Sequence, residues 1–205
     1  MFSLLLRGFV LGLAVAAAPG PVFFLGLRRT LVQGRAYGLL SGLAVATVDG
    51  FYAALATFGV AAVVTLFVEI RRPLAVIGGV LLFALGTTIL LRRSRPGEET
   101  AAPTGRGLAW AYLSTAGATL ANPATILSFA ALAATLGLGT GGSLARPGAV
   151  ASGVLIGSTA WWCVLVLAAS WLRPRLTAPV LRGVSIFSGL AIVALSLAAA
   201  YSAFA

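Results

Sequence analysis

The sequence contains no histidine and no lysine, one cysteine, and only four acidic residues among 205. A single cysteine excludes an internal disulfide and a cysteine pair for redox exchange, and the lack of histidine removes the commonest ligand of a transition-metal site. No cofactor and no bound metal are expected: a divalent cation wants several hard ligands, and one carboxylate within the apolar stretches offers little. A hydroxyl nucleophile would lack its usual histidine or lysine base, which argues against an intramembrane protease or acyltransferase, so no enzyme activity is expected. Cys163 reads as a small apolar packing residue.

Apolar residues dominate what remains. Sixty per cent of the chain is hydrophobic, nine per cent is charged and the mean hydropathy is +1.06, a balance that polar surface could not cover in water. The solvent for this chain is lipid. All fourteen basic residues are arginines, set singly or in twos and threes between apolar runs, so the net charge of +10 punctuates membrane spans and forms no nucleic-acid face. The run ending Ala16-Ala17-Ala18 has the look of a signal-peptide cleavage site. With no charged segment before it, Arg7 within it and a counterpart later in the chain, it reads instead as the first span.

A hydrocarbon core of roughly 30 Å takes about 20 apolar residues per helix. The uncharged stretches then predict an all-α polytopic protein of about six transmembrane helices, near residues 8–27, 36–66, 73–91, 107–136, 147–172 and 181–204. The stretch from Ala36 to Val68 exceeds one perpendicular crossing but does not hold two, and the segment from Gly107 ends at the Gly137–Ser143 linker. Short arginine-rich loops stay in the cytoplasm. The first, third and fifth loops hold ten of the arginines (Arg28, Arg29 and Arg35; Arg92, Arg93, Arg95 and Arg106; Arg173, Arg175 and Arg182) against Arg7, Arg71, Arg72 and Arg146 on the other side. Both termini are therefore expected outside the cytoplasm.

The halves resemble one another. At an offset of about 110 residues, Ser41-Gly42 aligns with Ser152-Gly153, Phe51 with Trp162 and Gly79 with Gly189, and each half opens with a proline-broken span. This predicts a first three-helix repeat over 1–95, a cytoplasmic linker over 96–106 and a second repeat over 107–205. Three spans per repeat is odd, so the copies would be inverted, as in many alternating-access transporters. Gly38 with Gly42, and Gly153 with Gly157, are spaced for close helix packing.

Asp49 is the one acidic residue that falls within a span, where a carboxylate costs roughly 2.5–3.5 kcal/mol and marks a functional candidate able to exchange a proton. A hydrogen bond bridging two helices is its structural alternative. No arginine falls clearly inside a span on this reading, Arg182 standing at the edge of the last, so a fixed salt-bridge partner is not expected. Pro19-Gly20-Pro21 should break the first span, freeing carbonyls that favour an ammonium group and starting a new helix that favours a carboxylate; an amino acid carries both. Asn122-Pro123 repeats this in span four, freeing the Thr119 carbonyl and adding an amide. Thr47, Tyr52, Thr115, Thr119, Ser158 and Thr159 are secondary cavity candidates, although such hydroxyls more often bond their own helix. Tyr52, Trp110, Trp161, Trp162 and Trp171 include interface anchors, with Trp162 the deepest tryptophan.

Taken in order, Gly8-Phe9 and Gly12-Leu13 before Pro19-Gly20-Pro21, Arg28-Arg29, Gly34-Arg35 and Gly38, Gly42 with Asp49 and Tyr52, Gly78-Gly79 with Leu85-Gly86, and Asn122-Pro123 resemble the LysE-type (RhtB-like) amino-acid exporters over nearly the whole chain. The resemblance implies an inner-membrane, proton-driven secondary exporter of amino acids or their derivatives, with a homodimer as one assembly. Two departures leave the substrate open: Ala124 follows Asn-Pro where the family usually has lysine, and Leu81, with Phe83 nearby, stands where a third-span aromatic is frequent. The rivals are a carrier of another solute or of a metal ion on the same scaffold, an intramembrane enzyme, and a membrane subunit that only binds partners.

Overall fold

Two prolines within three residues stop a helix twice over, and the first crossing is accordingly two helices. In the computed structural model, which describes residues 1–58, 69–91, 103–136 and 145–202, α1 (Phe2–Ala17) and α2 (Pro21–Arg28) meet at a bend of 80°. Pro21 takes the first position of α2, where its missing N–H costs nothing. After Arg28 the helix widens into a π-helical turn, Arg29–Gln33, closed by the Gly34 N–H bonding the Arg29 carbonyl at 2.9 Å. Gly34, at φ 106°, is the one positive-φ glycine described and makes the sharp turn into α3 (Arg35–Thr57).

The remaining elements are α4 (Arg71–Leu91), α5 (Gly105–Leu120), α6 (Pro123–Leu136), α7 (Ala145–Leu172), a 3₁₀ turn (Arg173–Arg175) and α8 (Ala178–Ser202). All are helices, as the composition requires of lipid-embedded backbone. Four of them (α3, α4, α7 and α8) are long and apolar enough to cross a membrane, and the bent α1–α2 pair makes a fifth span if counted as one. The pair α5 and α6, parted by two residues at Ala121-Asn122, supplies the sixth in the six-span reading. The predicted end of span two beyond residue 58, most of the linker over 96–106 and the Gly137–Ser143 segment lie outside the described residues.

Glycine sets the tightest contact. Gly8 and Gly12 of α1 face Val150 and Val154 of α7, while Gly153 and Gly157 face Leu5, Phe9 and Leu13, all through backbone atoms. The paired numbers rise together, so α1 and α7 run in the same direction, and both small-xxx-small rows are used. Helices α3 and α5 also run together, with Tyr37 beside Gly107 and Tyr52 bonded to Leu120. By contrast α3 opposes α7, with Gly38 against Val166, Gly42 against Trp162 and Gly50 against Leu155, and α4 opposes α8, with Gly79 against Ser196 and Gly86 against Gly189. Trp162 is buried between α2 and α3 against Gly26 and Gly42, whereas Trp110 and Trp171 are exposed. Cys163 is half-buried.

Candidate functional site

Asp49 is 1 % exposed and accepts a hydrogen bond from Ser158 Oγ at 2.7 Å across the α3–α7 contact. The carboxyl group thus points into protein, away from acyl chains, at the crossing of one helix from each half. One turn further along α3, the Tyr52 hydroxyl donates to the Leu120 carbonyl at 2.6 Å, and its ring stacks near Phe129 of α6.

The two breaks differ in how they are closed. At the second, the Thr119 carbonyl accepts from Asn122 N–H at 3.1 Å, Tyr52 takes up the Leu120 carbonyl, and Asn122 Oδ1 caps α6 by accepting from Ala124 N–H at 3.2 Å. Prolines at both breaks free backbone acceptors, and here protein donors use them. At the first, Pro19 is exposed, Gly20 and Pro21 are half-buried, and the Val15 carbonyl accepts from Ala18 N–H at 3.3 Å. Gly20 has an extended backbone, φ −143° and ψ −178°, open to any residue, and a Cβ there would meet nothing within 4 Å. That conformation makes no use of glycine's wider dihedral range. Ala16 and Val22, flanking the first break, join Ala118, just before the second, in one apolar cluster with Val45 and Trp162.

The secondary candidates divide. Ser158 holds Asp49, whereas Thr47, Thr119 and Thr159 each donate to their own helix, at the carbonyls of Leu43, Thr115 and Leu155. Thr115 also donates to its own helix, at Ala111, yet gains a second role.

That role concerns Arg29, which the arginine-to-arginine reading put in a loop. Arg28 and Arg29 are buried instead, 8 % and 5 % exposed, because α2 and its π turn carry the chain on to Gly34. Arg29 Nη1 donates to Thr115 Oγ1 at 2.6 Å, to the Ala111 carbonyl at 2.8 Å and to Ser41 Oγ at 3.1 Å, and Nη2 donates to Ser114 Oγ at 2.8 Å. The Ser114 and Thr115 hydroxyl protons are already committed to Trp110 and Ala111 carbonyls, so both oxygens present lone pairs to the guanidinium. Every partner is neutral. Arg173 in turn donates from Nε and Nη2 to the Leu31 and Val32 carbonyls at 2.9 and 3.2 Å, bracing the π turn. Spans cut wherever an arginine stands could not place one inside; Ser41, Ser114 and Thr115, polar residues in apolar helices, were the available signal.

Beside Arg29 lies a cavity of about 600 Å³ between the α2 end, α3, α4 and α5, with Leu25, Arg28, Arg29, Tyr37, Leu81 and Trp110 in its wall. It reaches the surface near the exposed Gln33, Thr88 and Trp110, at the end of the bundle where the first and third connections join the helices. None of Pro19, Gly20, Pro21, Asp49 or Asn122 lines it. Among the described residues, no cluster of three metal-ligating side chains occurs.

No solved structure matches this chain. YahN, an uncharacterised membrane protein of Escherichia coli K12, is 35 % identical over 82 residues, which cover 40 % of this chain and 37 % of that protein. The alignment thus spans little more than a third of that relative. The family match is far longer, since residues 13–203 match the LysE type translocator family. With the bundle of apolar helices, that match over nearly the full length identifies the chain as a multi-pass membrane protein belonging to the LysE type translocator family.

Proposed function

We propose that this translocator exports amino acids or small amino-acid derivatives across the inner membrane, driven by protons moving inward, through alternating access between two inverted three-helix repeats (1–95 and 107–205, joined by 96–106). The observation that carries the reading is the cavity of about 600 Å³ at the arginine-rich end of the bundle, a size in the range of small-solute sites. With Arg28 and Arg29 set aside as interior residues, eight arginines still flank that end or its connections against four at the other, so the cavity is a cytoplasmic vestibule and both termini lie outside. The helix directions support the inverted repeat: α1 with α7 and α3 with α5 are both parallel pairs, as a two-fold axis exchanging the halves would make them.

In this reading Asp49 is the proton site, acting by position. Its bond to Ser158 joins α3 of the first repeat to α7 of the second. A charge lodged at that crossing is expensive, so gaining or losing a proton there biases how the repeats sit against each other. The breaks at Pro19–Pro21 and Asn122-Pro123 let half-helices tilt as the vestibule closes and the outer side opens.

Efflux from proteoliposomes loaded with amino acids, with and without an imposed proton gradient, tests this. Asp49→Asn, nearly isosteric and still able to meet Ser158, should insert normally yet lose gradient-driven uphill efflux while keeping downhill exchange. Uphill efflux by Asp49→Asn at the wild-type rate would remove Asp49 from coupling.

A further inference from the structure

Unpartnered donors are rare inside a protein and costlier still at membrane depth, where bulk water does not supply the missing acceptor. Trp162 is 3 % exposed, and its Nε1–H has no hydrogen-bond partner among the described residues. Trp161, Ser170 and Ser185 also hold a buried polar atom in that condition. Their cases are weaker: Trp161 and Ser170 are half-buried as residues, and a serine hydroxyl rotates onto a carbonyl of its own helix. An indole N–H only donates and has no such local acceptor. The Trp162 ring is nonetheless firmly seated, with its benzo edge in the notch at Gly26 of α2 and its Cβ, Cγ and Cδ2 against Gly42 of α3.

The unused donor stands at a particular depth. Leu25, Leu81 and Leu85 belong both to the vestibule wall and to the apolar packing around Trp162. That cluster therefore begins where the vestibule ends, and it takes in Ala16 and Val22 beside the first break and Ala118 just before the second. Beyond it lies the Asp49–Ser158 bond. Ser158 is one turn before Trp162 on α7, and Asp49 is two turns after Gly42 on α3, so the two contacts share the facing sides of these helices. Counted from the arginine-rich end, the order is vestibule, Trp162, Asp49.

We propose that Trp162 is a solute-binding residue of the translocation route: a solute that parts Leu25, Leu81 and Leu85 accepts a hydrogen bond from the Trp162 N–H through its carboxylate, one turn before it reaches Asp49. The inference rests on reading the vestibule as the solute entrance and adds the first contact beyond it. Every amino acid carries this acceptor, so the bond holds the solute's backbone and leaves its side chain to other walls. A bond to an ionised acceptor in apolar surroundings is among the stronger kinds. Tilting of the half-helices at the two breaks opens the way, because Ala16, Val22 and Ala118 move with them.

The test uses the purified full-length protein in liposomes loaded with an equimolar mixture of the twenty amino acids, with efflux of each followed and KM and maximal rate then measured for the best exported. Trp162→Phe removes the N–H and keeps an aromatic ring; 3-benzothienylalanine placed at position 162 keeps the full ring shape with sulfur in place of the N–H. Both replacements should raise KM about tenfold, the loss expected for one charge-assisted bond, with a much smaller change in maximal rate. The benzothienyl protein should melt as the wild type does, since the donor it lacks had no protein partner to lose. A wild-type KM in the benzothienyl protein would overturn the assignment, and so would an equal rise in KM from Trp161→Phe, which would show that loss of any tryptophan here suffices. Either result leaves the exporter reading standing. Efflux of none of the twenty by the wild-type protein would sink that reading and this one with it.

Discussion

Gly20 sits between two prolines, yet its backbone is extended and the space where a side chain would go is empty. Gly20→Ala should therefore leave insertion and thermal stability of the purified protein within about 1 kcal/mol of wild type, since the replacement meets no clash and even trims unfolded-chain entropy. A transport loss in that stable variant would locate the glycine's use in another conformation of the cycle. Asp49 shows the sequence at its most legible: lone acids in apolar helices are rare, and the group is buried inside protein as that rarity demands. Arg29 shows the opposite. Nothing in its neighbours distinguishes it from a loop arginine until Pro21 is counted as a helix start and Gly34 as the turn, thirteen residues on.

Among the elements, the α1–α7 contact makes the strictest demand on side-chain size. A Cβ at Gly157 would strike the Phe9 carbonyl, and one at Gly12 the Val154 carbonyl, so neither helix can yield without moving its own backbone. Gly157→Val should lower the melting temperature sharply, by about 3 kcal/mol or more in stability, as overpacking at a backbone contact does. Gly148→Val, on the same helix with nothing within 4 Å, is the control expected to change little. Spacing alone revealed that Gly153 and Gly157 pack, because small residues four apart form one flat strip on a helix. It could not reveal the partner: the facing strip Gly8–Gly12 lies in the other half of the chain, and residue periodicity carries no information about which helix comes alongside. The same limit hid the bracing of the second break by Tyr52, whose bond to Leu120 joins residues 68 apart.

At the scale of the whole bundle, sidedness and access are one question, because the vestibule and the arginine-rich connections share an end. Apolar length predicted the spans well where charges bounded them, as for α4 and α7, and less well where proline divided them, since hydropathy registers composition and is blind to a missing N–H. Thr88, exposed on α4 at the vestibule, and Ser3, exposed at the start of α1, lie on opposite sides of the membrane if the arginine bias holds. In a Cys163→Ser background, Ser3→Cys should react with an impermeant maleimide in intact spheroplasts, and Thr88→Cys only after the membrane is opened. The reverse pattern would turn the protein over and make the vestibule an external mouth, which would reverse the direction of transport argued from it.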